Sequence, residues 1–474
     1  MKKEPPKTKI IGTIGPASAS RKVLQQMIQA GMSIARLNLA HGTPELHEQY
    51  IALVRAAART AGRKVAIMAD LPGPKIRVGV LPEEPLELKK GARIFLVPHE
   101  RTNDPRTIPI PLPGLLEILR PKHSVYLNDG LIQLMVEEVL RDKARARVVV
   151  GGELFSHKGV NFPGIDLGLS AFTEEDQRLM SFALAHGVEA ISLSFVEGPE
   201  EIRKAREYAR SLGYSPFIIA KIERAQAVKN FSAILEEADG IMIARGDLGV
   251  EIPIEEIAVV QKSLIEKAAL AGKVVITATQ MLKSMTHNRR PTRAEVTDVA
   301  NAILDGTDCL MLSEETAAGL YPVEAVKMMA KIAIVTEKER KYFPVRENLL
   351  ASFHKGKISL DDVLSLDVFT TVEHLKVKAI IIPTDTGATA RKVARFRLPV
   401  WIYAFSPHES TCERLLFYYG VRPALLTESL SDWQGFALHW LRKNILKEGL
   451  VVSLQRTFLG SHKTYRLELI EVEN

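Results

Sequence analysis

The chain has 474 residues, 46% hydrophobic and 25% charged, a globular composition that excludes a disordered or collagen-like polymer. No apolar run approaches the ~18 residues of a membrane span, and the basic start MKKEPPKTKI lacks the apolar core of a secretory signal, so the cytoplasm is the expected compartment. Cys309 and Cys412 stand far apart without a CxxC, against a disulfide framework or zinc finger, and the net charge of +7 suits anionic small substrates better than nucleic acid, since no basic run interleaves with aromatics.

In chain order, short β-branched runs begin near Lys9, Ile34, Val65, Ala190, Phe217, Gly240, Val274 and Asp308. Helical periodicity fills the intervals, as in Arg21 to Ala30, Glu45 to Thr60, Glu174 to His186 and Glu255 to Ala271. Apart from one gap, successive starts lie about 23 to 35 residues apart, the length of a βα unit. Eight such units predict an α/β fold built on a (β/α)8 TIM barrel, with an open doubly wound sheet as the alternative.

The exceptional gap follows the third strand. Residues 78–160 hold clustered prolines and alternating apolar positions with no long amphipathic helix, which predicts a small β domain inserted after the third strand. Removing it leaves residues 1–77 and 161–346, close to the ~250 residues of a typical barrel. Residues 347–474 read as a separate C-terminal α/β, Rossmann-like domain: helix from Leu360 to His374, strand KAIIIP, the turn TDTGATA, helix from Ala388 to Phe396, strand VWIYAF, and helix from Glu409 to Tyr418.

Reactive groups of such a barrel sit at the C-terminal ends of its strands. Strand five ends in Ala220-Lys221-Ile222-Glu223, where alternate residues share a face; strand six ends in Arg245-Gly246-Asp247-Leu248-Gly249. Glu223 and Asp247 together suit Mg²⁺, a hard ion that keeps waters and substrate oxygens as its other ligands. The alternative is a solvated salt-bridge cluster of Lys221, Glu223 and Arg245. Thr279 and Gln280 end strand seven, Arg36 and Asn38 end strand two, and Asp70 precedes Lys75 and Arg77. Cations facing carboxylates suit phosphoryl transfer, where catalysis is mostly positioning and charge stabilisation. No GxxxxGK[ST] or GxGxxG is present to hold a nucleotide.

The stretch IIAKIERAQAV resembles the signature of pyruvate kinases. TKIIGTIGPAS, GMSIARLNLAHGT, DLPGPKIRVG, VYLNDGLI, KGVNFPG, IMIARGDLGVEIP, TATQMLKSM and the long segment RPTRAEVTDVANAILDGTDCLMLSEETAAGLYPVEAV resemble that family in order, from Thr8 to about Met328. The resemblance implies Mg²⁺-dependent (or Mn²⁺-dependent) transfer of a phosphoryl group from phosphoenolpyruvate to ADP in a homotetramer, with the inserted domain as a small β-barrel lid over the barrel mouth. It implies Lys221 as the stabilising ammonium and Glu223 and Asp247 as metal ligands. Gly246, Asp247, Thr279 and Arg36 would bind substrate, with Thr279 near the site of enolate protonation; Asn38, Arg77 and Lys158 would contact nucleotide or phosphate.

The sequence also departs from the family pattern. Of the K⁺ ligands, Asn38 and Asp70 match, but Ala40 and Leu71 replace a serine and a threonine. Lys75 stands where K⁺-dependent members carry glutamate, so K⁺ independence is expected, with the lysine ammonium as the substitute. In TDTGATA, Thr384, Thr386 and Thr389 keep the hydroxyls of the family's effector phosphate loop while Asp385 adds a repelling charge, and the final loop FLGSHKTY also differs. Weak or altered activation by a phosphorylated effector follows. A metal-dependent aldolase would not need the lid, Lys158 or Arg77, and an inactive basic binding protein would have lost Lys221 or a metal ligand.

Overall fold

The computed structural model describes residues 4–128, 130–165, 167–339, 345–353, 359–426, 433–444, 448–459 and 462–473. Eight short strands, β1 (Lys9–Thr13), β2 (Met32–Asn38), β3 (Ala66–Asp70), β4 (Ala190–Leu193), β5 (Phe217–Ile222), β6 (Gly240–Ala244), β7 (Val274–Ala278) and β8 (Cys309–Leu312), close into one parallel barrel. β8 pairs back onto β1, with Lys9 opposite Cys309. The open-sheet alternative is therefore excluded.

Alternation along each strand divides the apolar residues between two cores. Ile10, Ile67, Ile218, Ile241 and Val275 face the helical ring. Ile11, Ile34, Met68, Ile219, Met242, Ile276 and Met311 fill the barrel interior, as side chains of this size must if eight strands are to close without a pore. The helices begin where the sequence supplies caps. Ser20 accepts from the Val23 amide, and Thr173 with Asp176 and Thr292 with Glu295 form capping boxes.

Between β3 and β4 a β insertion holds its own core around Leu96, Val125, Leu134 and Val148. Its strands form a six-stranded sheet and a two-stranded ladder. The chain enters and leaves through an antiparallel bridge between Arg77 and Gly159, in which the Val78 amide donates to the Lys158 carbonyl at 2.8 Å and Val160 to Ile76 at 3.0 Å.

The C-terminal sheet has the spatial order Val421–Leu425, Trp401–Ser406, Val377–Pro383, Gly449–Leu459, His462–Val472. The first four strands are parallel and the last pair is antiparallel. This corrects the reading of FLGSHKTY as a loop: its described residues lie in the two long strands, and residues 460 and 461 lie outside the described residues. The interior core of the barrel runs on into this domain, with Phe217 stacked on Phe417 at a centroid distance of 5.2 Å. The C-terminal domain thus seals the end of the barrel where the strands begin, leaving the opposite end for ligands. Among the described residues no helix is long and apolar enough to cross a membrane.

Candidate functional site

Lys221 is the penultimate residue of β5 and its side chain reaches the barrel mouth. Its ammonium donates to Ser194 Oγ at 2.6 Å and lies 3.3 Å from Glu223 Oε2 and 3.6 Å from Asp70 Oδ1. Burial alone would lower its pKa; the carboxylates of Asp70 and Glu223 outweigh that and hold it above the ordinary lysine value, so the group stays charged.

Asp70 ends β3 and is saturated with donors. Arg36 Nε and Nη2 donate to its Oδ2 at 2.8 and 2.5 Å, and Ser192 Oγ donates to Oδ1 at 3.0 Å. Burial works against its charge, but Lys221 and Arg36 prevail and keep its pKa below the ordinary range. Arg36 Nη1 donates to Thr13 Oγ1 at 3.0 Å. Three of its five N–H groups are thereby committed, and the remainder can meet an anion.

Glu223 is fully buried just beyond β5. Its Oε1 accepts the Phe195 amide at 2.6 Å, while Oε2 has no hydrogen-bond partner. Burial raises its pKa, and Asp247 raises it further against the opposing pull of Lys221. Asp247 lies in the first turn of the helix Arg245–Glu251 after β6 and borders the cavity. A buried carboxylate oxygen that lacks a hydrogen bond and has only the Lys221 ammonium at 3.3 Å, with a second carboxylate that repels it, forms a donor set suited to a hard cation. Among the described residues no three His, Cys, Asp or Glu side chains group around a metal position. Two carboxylates plus substrate oxygens and waters are nevertheless a usual Mg²⁺ arrangement.

Thr279 and Gln280 follow β7 with φ of 68° and 53°, a left-handed region that residues other than glycine seldom hold and that often marks a functional site. The Gly246 amide donates to Thr279 Oγ1 at 2.9 Å, which joins the ends of β6 and β7. A Cβ at Gly246 would make only ordinary van der Waals contact, 3.6 Å from the same oxygen, so this hydrogen bond does not itself require glycine.

The cavity at this mouth is lined by Arg36, Asn38, Asp70, Lys75, Arg77, Lys221, Asp247 and Thr279, so the structure brings together most of the residues that the sequence singles out. Lys75 is exposed at the rim. The cations are felt by His41, whose pKa is lowered first by burial and then by Arg77, Lys75 and Arg36. Lys158 is not among the lining residues; it is exposed where the chain returns from the insertion. Arg77 Nη1 donates to the neighbouring His157 carbonyl at 2.9 Å. Arg245 does not join Lys221 and Glu223 in a salt-bridge cluster. It forms a two-pronged ion pair with Asp298 at 2.6 and 2.7 Å.

Sequence reasoning missed Ser192 and Ser194, which hold Asp70 and Lys221, and Phe195, which holds Glu223 at a φ of 57°. Applying the strand-end rule to ISLSFV, which spans the end of β4, would have found all three. In the C-terminal domain the Gly387 amide donates to Thr384 Oγ1 at 3.0 Å, while Asp385 and Thr386 are exposed.

Comparison with known proteins agrees with this geometry. The family model "Pyruvate kinase, barrel domain" matches residues 5–326, and "Pyruvate kinase, alpha/beta domain" matches residues 362–465. A pyruvate kinase of Thermococcus litoralis is 48% identical over 90% of this chain and 90% of its own. Pyruvate kinase 2 of Synechocystis is 42% identical over 99% of this chain and 79% of its own. The Geobacillus stearothermophilus pyruvate kinase is 44% identical over 88% of this chain and 71% of its own. The chain belongs to the pyruvate kinase family.

Proposed function

We propose that this chain passes the phosphoryl group of phosphoenolpyruvate to ADP at the mouth formed by Arg36, Lys221, Glu223, Asp247 and Thr279. The observation that carries this assignment is the Lys221 ammonium, kept charged between two buried carboxylates at the floor of a cation-rimmed cavity. The bond from phosphorus to the enol oxygen breaks as a bond to a terminal oxygen of ADP forms, leaving pyruvate enolate. Lys221 would face both the phosphoryl oxygens in flight and the enolate oxygen, and Arg36 would offer its uncommitted N–H groups to the phosphate. Gly246 and Asp247 bind at the substrate's edge, Thr279 stands where carbon is protonated, and Asn38, Arg77 and Lys158 serve the nucleotide. Glu223 and Asp247 would hold Mg²⁺ or Mn²⁺, which when bound supplies charge neutralisation for the phosphoryl and enolate oxygens. The β insertion is the lid that excludes water, so that the phosphoryl group meets ADP and not a hydroxyl.

Lys75 replaces K⁺ in this reading. Asp70, the carboxylate that would face a monovalent cation, is already compensated by Arg36 and Lys221, and Lys75 adds a fixed positive charge at the rim. We further propose a homotetramer, domain limits at residues 77/78, 160/161 and 346/347, and weak response to a sugar phosphate at Thr384, Thr386 and Thr389 because Asp385 repels it. The test is a coupled assay with phosphoenolpyruvate and ADP, run with and without Mg²⁺ and K⁺. Turnover that needs the divalent ion but not K⁺ supports the assignment, and strict dependence on K⁺ removes the role of Lys75.

A further inference from the structure

The residue that opens the helix after β6, Arg245, is not among the residues lining the cavity, yet it is bound to the end of β7, where Thr279 sits. Its Nη2 donates to the Thr279 carbonyl at 2.8 Å and its Nε to the Ala278 carbonyl at 3.3 Å. Both terminal nitrogens meet the carboxylate of Asp298, which belongs to the helix Arg293–Asp305 between β7 and β8. The next residue, Gly246, holds the hydroxyl of the same threonine. Thr279 is thus gripped by its carbonyl and its side chain from two consecutive residues of β6's outgoing turn, while its own backbone is in a left-handed conformation.

A strained position persists only where its surroundings over-determine it. A planar guanidinium can serve two carbonyls and two carboxylate oxygens at once; a lysine ammonium has neither the reach nor the fork. We propose that Arg245, fixed by Asp298, is a positioning residue that holds the Thr279 hydroxyl over the barrel mouth, and that the step it controls is protonation of the enolate carbon, not phosphoryl transfer. The inference rests on the placing of Thr279 at that step.

By microscopic reversibility, the protonation step is read as deuterium wash-in to the methyl group of pyruvate in heavy water with ATP and Mg²⁺, and phosphoryl transfer as single-turnover ATP formation. Arg245→Lys is expected to slow wash-in about tenfold or more, the scale of losing a well-placed proton donor, with ATP formation reduced less than about threefold and KM for ADP unchanged. Equal loss in both partial reactions, as a merely structural role would give, overturns the proposal, and so does unimpaired wash-in. Should Arg245→Lys fail to fold, Asp298→Asn decides, with the same selective loss expected at smaller size. Thr279→Val separates the two layers. If that variant exchanges normally, the placing of Thr279 is wrong; if it is impaired while Arg245→Lys is not, only the positioning role falls.

Discussion

Arg397 Nη2 lies 2.7 Å from Asp308 Oδ2, with both side chains almost wholly excluded from solvent, and this pair ties the C-terminal domain to the start of β8. Asp308 also accepts the amides of Val275 and Tyr419, at 3.0 and 2.9 Å, so one carboxylate joins β7, β8 and the C-terminal sheet domain. Removing the guanidinium strands a buried charge, which typically costs about 3–5 kcal/mol. Arg397→Met is therefore expected to lower the unfolding midpoint strongly, and adding Asp308→Asn should restore part of the loss. A denaturant titration showing Arg397→Met as stable as the parent would refute this role.

At the opposite end of the barrel, Lys221 faces Asp70, Glu223 and Ser194. Its charge acts where negative charge develops, so Lys221→Ala should lower kcat by at least ~10²-fold. KM for phosphoenolpyruvate should move far less, because Arg36 and Asp247 remain. Steady-state kinetics on folded protein, checked by circular dichroism, decide; near-normal turnover removes Lys221 from the mechanism.

The monovalent-cation proposal has its own variant. Lys75→Glu replaces the rim ammonium with a carboxylate while leaving Asp70 paired to Arg36. Activity is expected to become dependent on added K⁺, falling about tenfold or more without it, on the scale of a lost electrostatic contact in a shielded site. A K⁺ titration of parent and variant checks this, and superimposable curves would contradict it.

How much of this was legible beforehand depends on the range of the interactions. The eight barrel strands were readable because each is a short apolar run between helical periods, and because the rule that function sits at strand ends needs no distances. That rule found Lys221, Glu223, Asp247 and Thr279. The contacts of Ser194 and Phe195 follow only when β4 is known to lie beside β5 with Ala190 opposite Phe217. The turn of Arg245 away from Glu223 toward Asp298, 53 residues on, has no local signature. The closing hairpin Gly449–Leu459 with His462–Val472 was missed because its edge strand mixes charged and apolar residues and reads as a polar tail. Nor does sequence show that Phe217 at the start of β5 would stack on Phe417, since two apolar cores merge there across 200 residues of chain.

A last prediction concerns pH at the junction where Glu413, on the helix Glu409–Leu415, faces Leu184, Glu189 and Tyr214 of the barrel domain. Burial, then repulsion from Glu189 and Glu409, pushes its pKa up to about 7, with Arg55 and Lys64 opposing. A carboxyl whose pKa is raised on folding favours the folded state while protonated. Its contribution is complete below the unfolded value near 4.5 and is lost as pH rises toward 7. Neighbouring charges are already engaged: Arg55 with Glu189 at 2.6 Å, and Arg414 with the Ser215 hydroxyl at 3.2 Å. Glu413→Gln, which cannot ionise, should therefore nearly match the parent at pH 4 and exceed it at pH 8, by about 1 kcal/mol after allowance for solvent screening at a partly exposed group. Thermal unfolding of both proteins at the two pH values tests the sign directly: a stabilisation present equally at pH 4, or a loss at pH 8, would show that ionised Glu413 does not strain the junction.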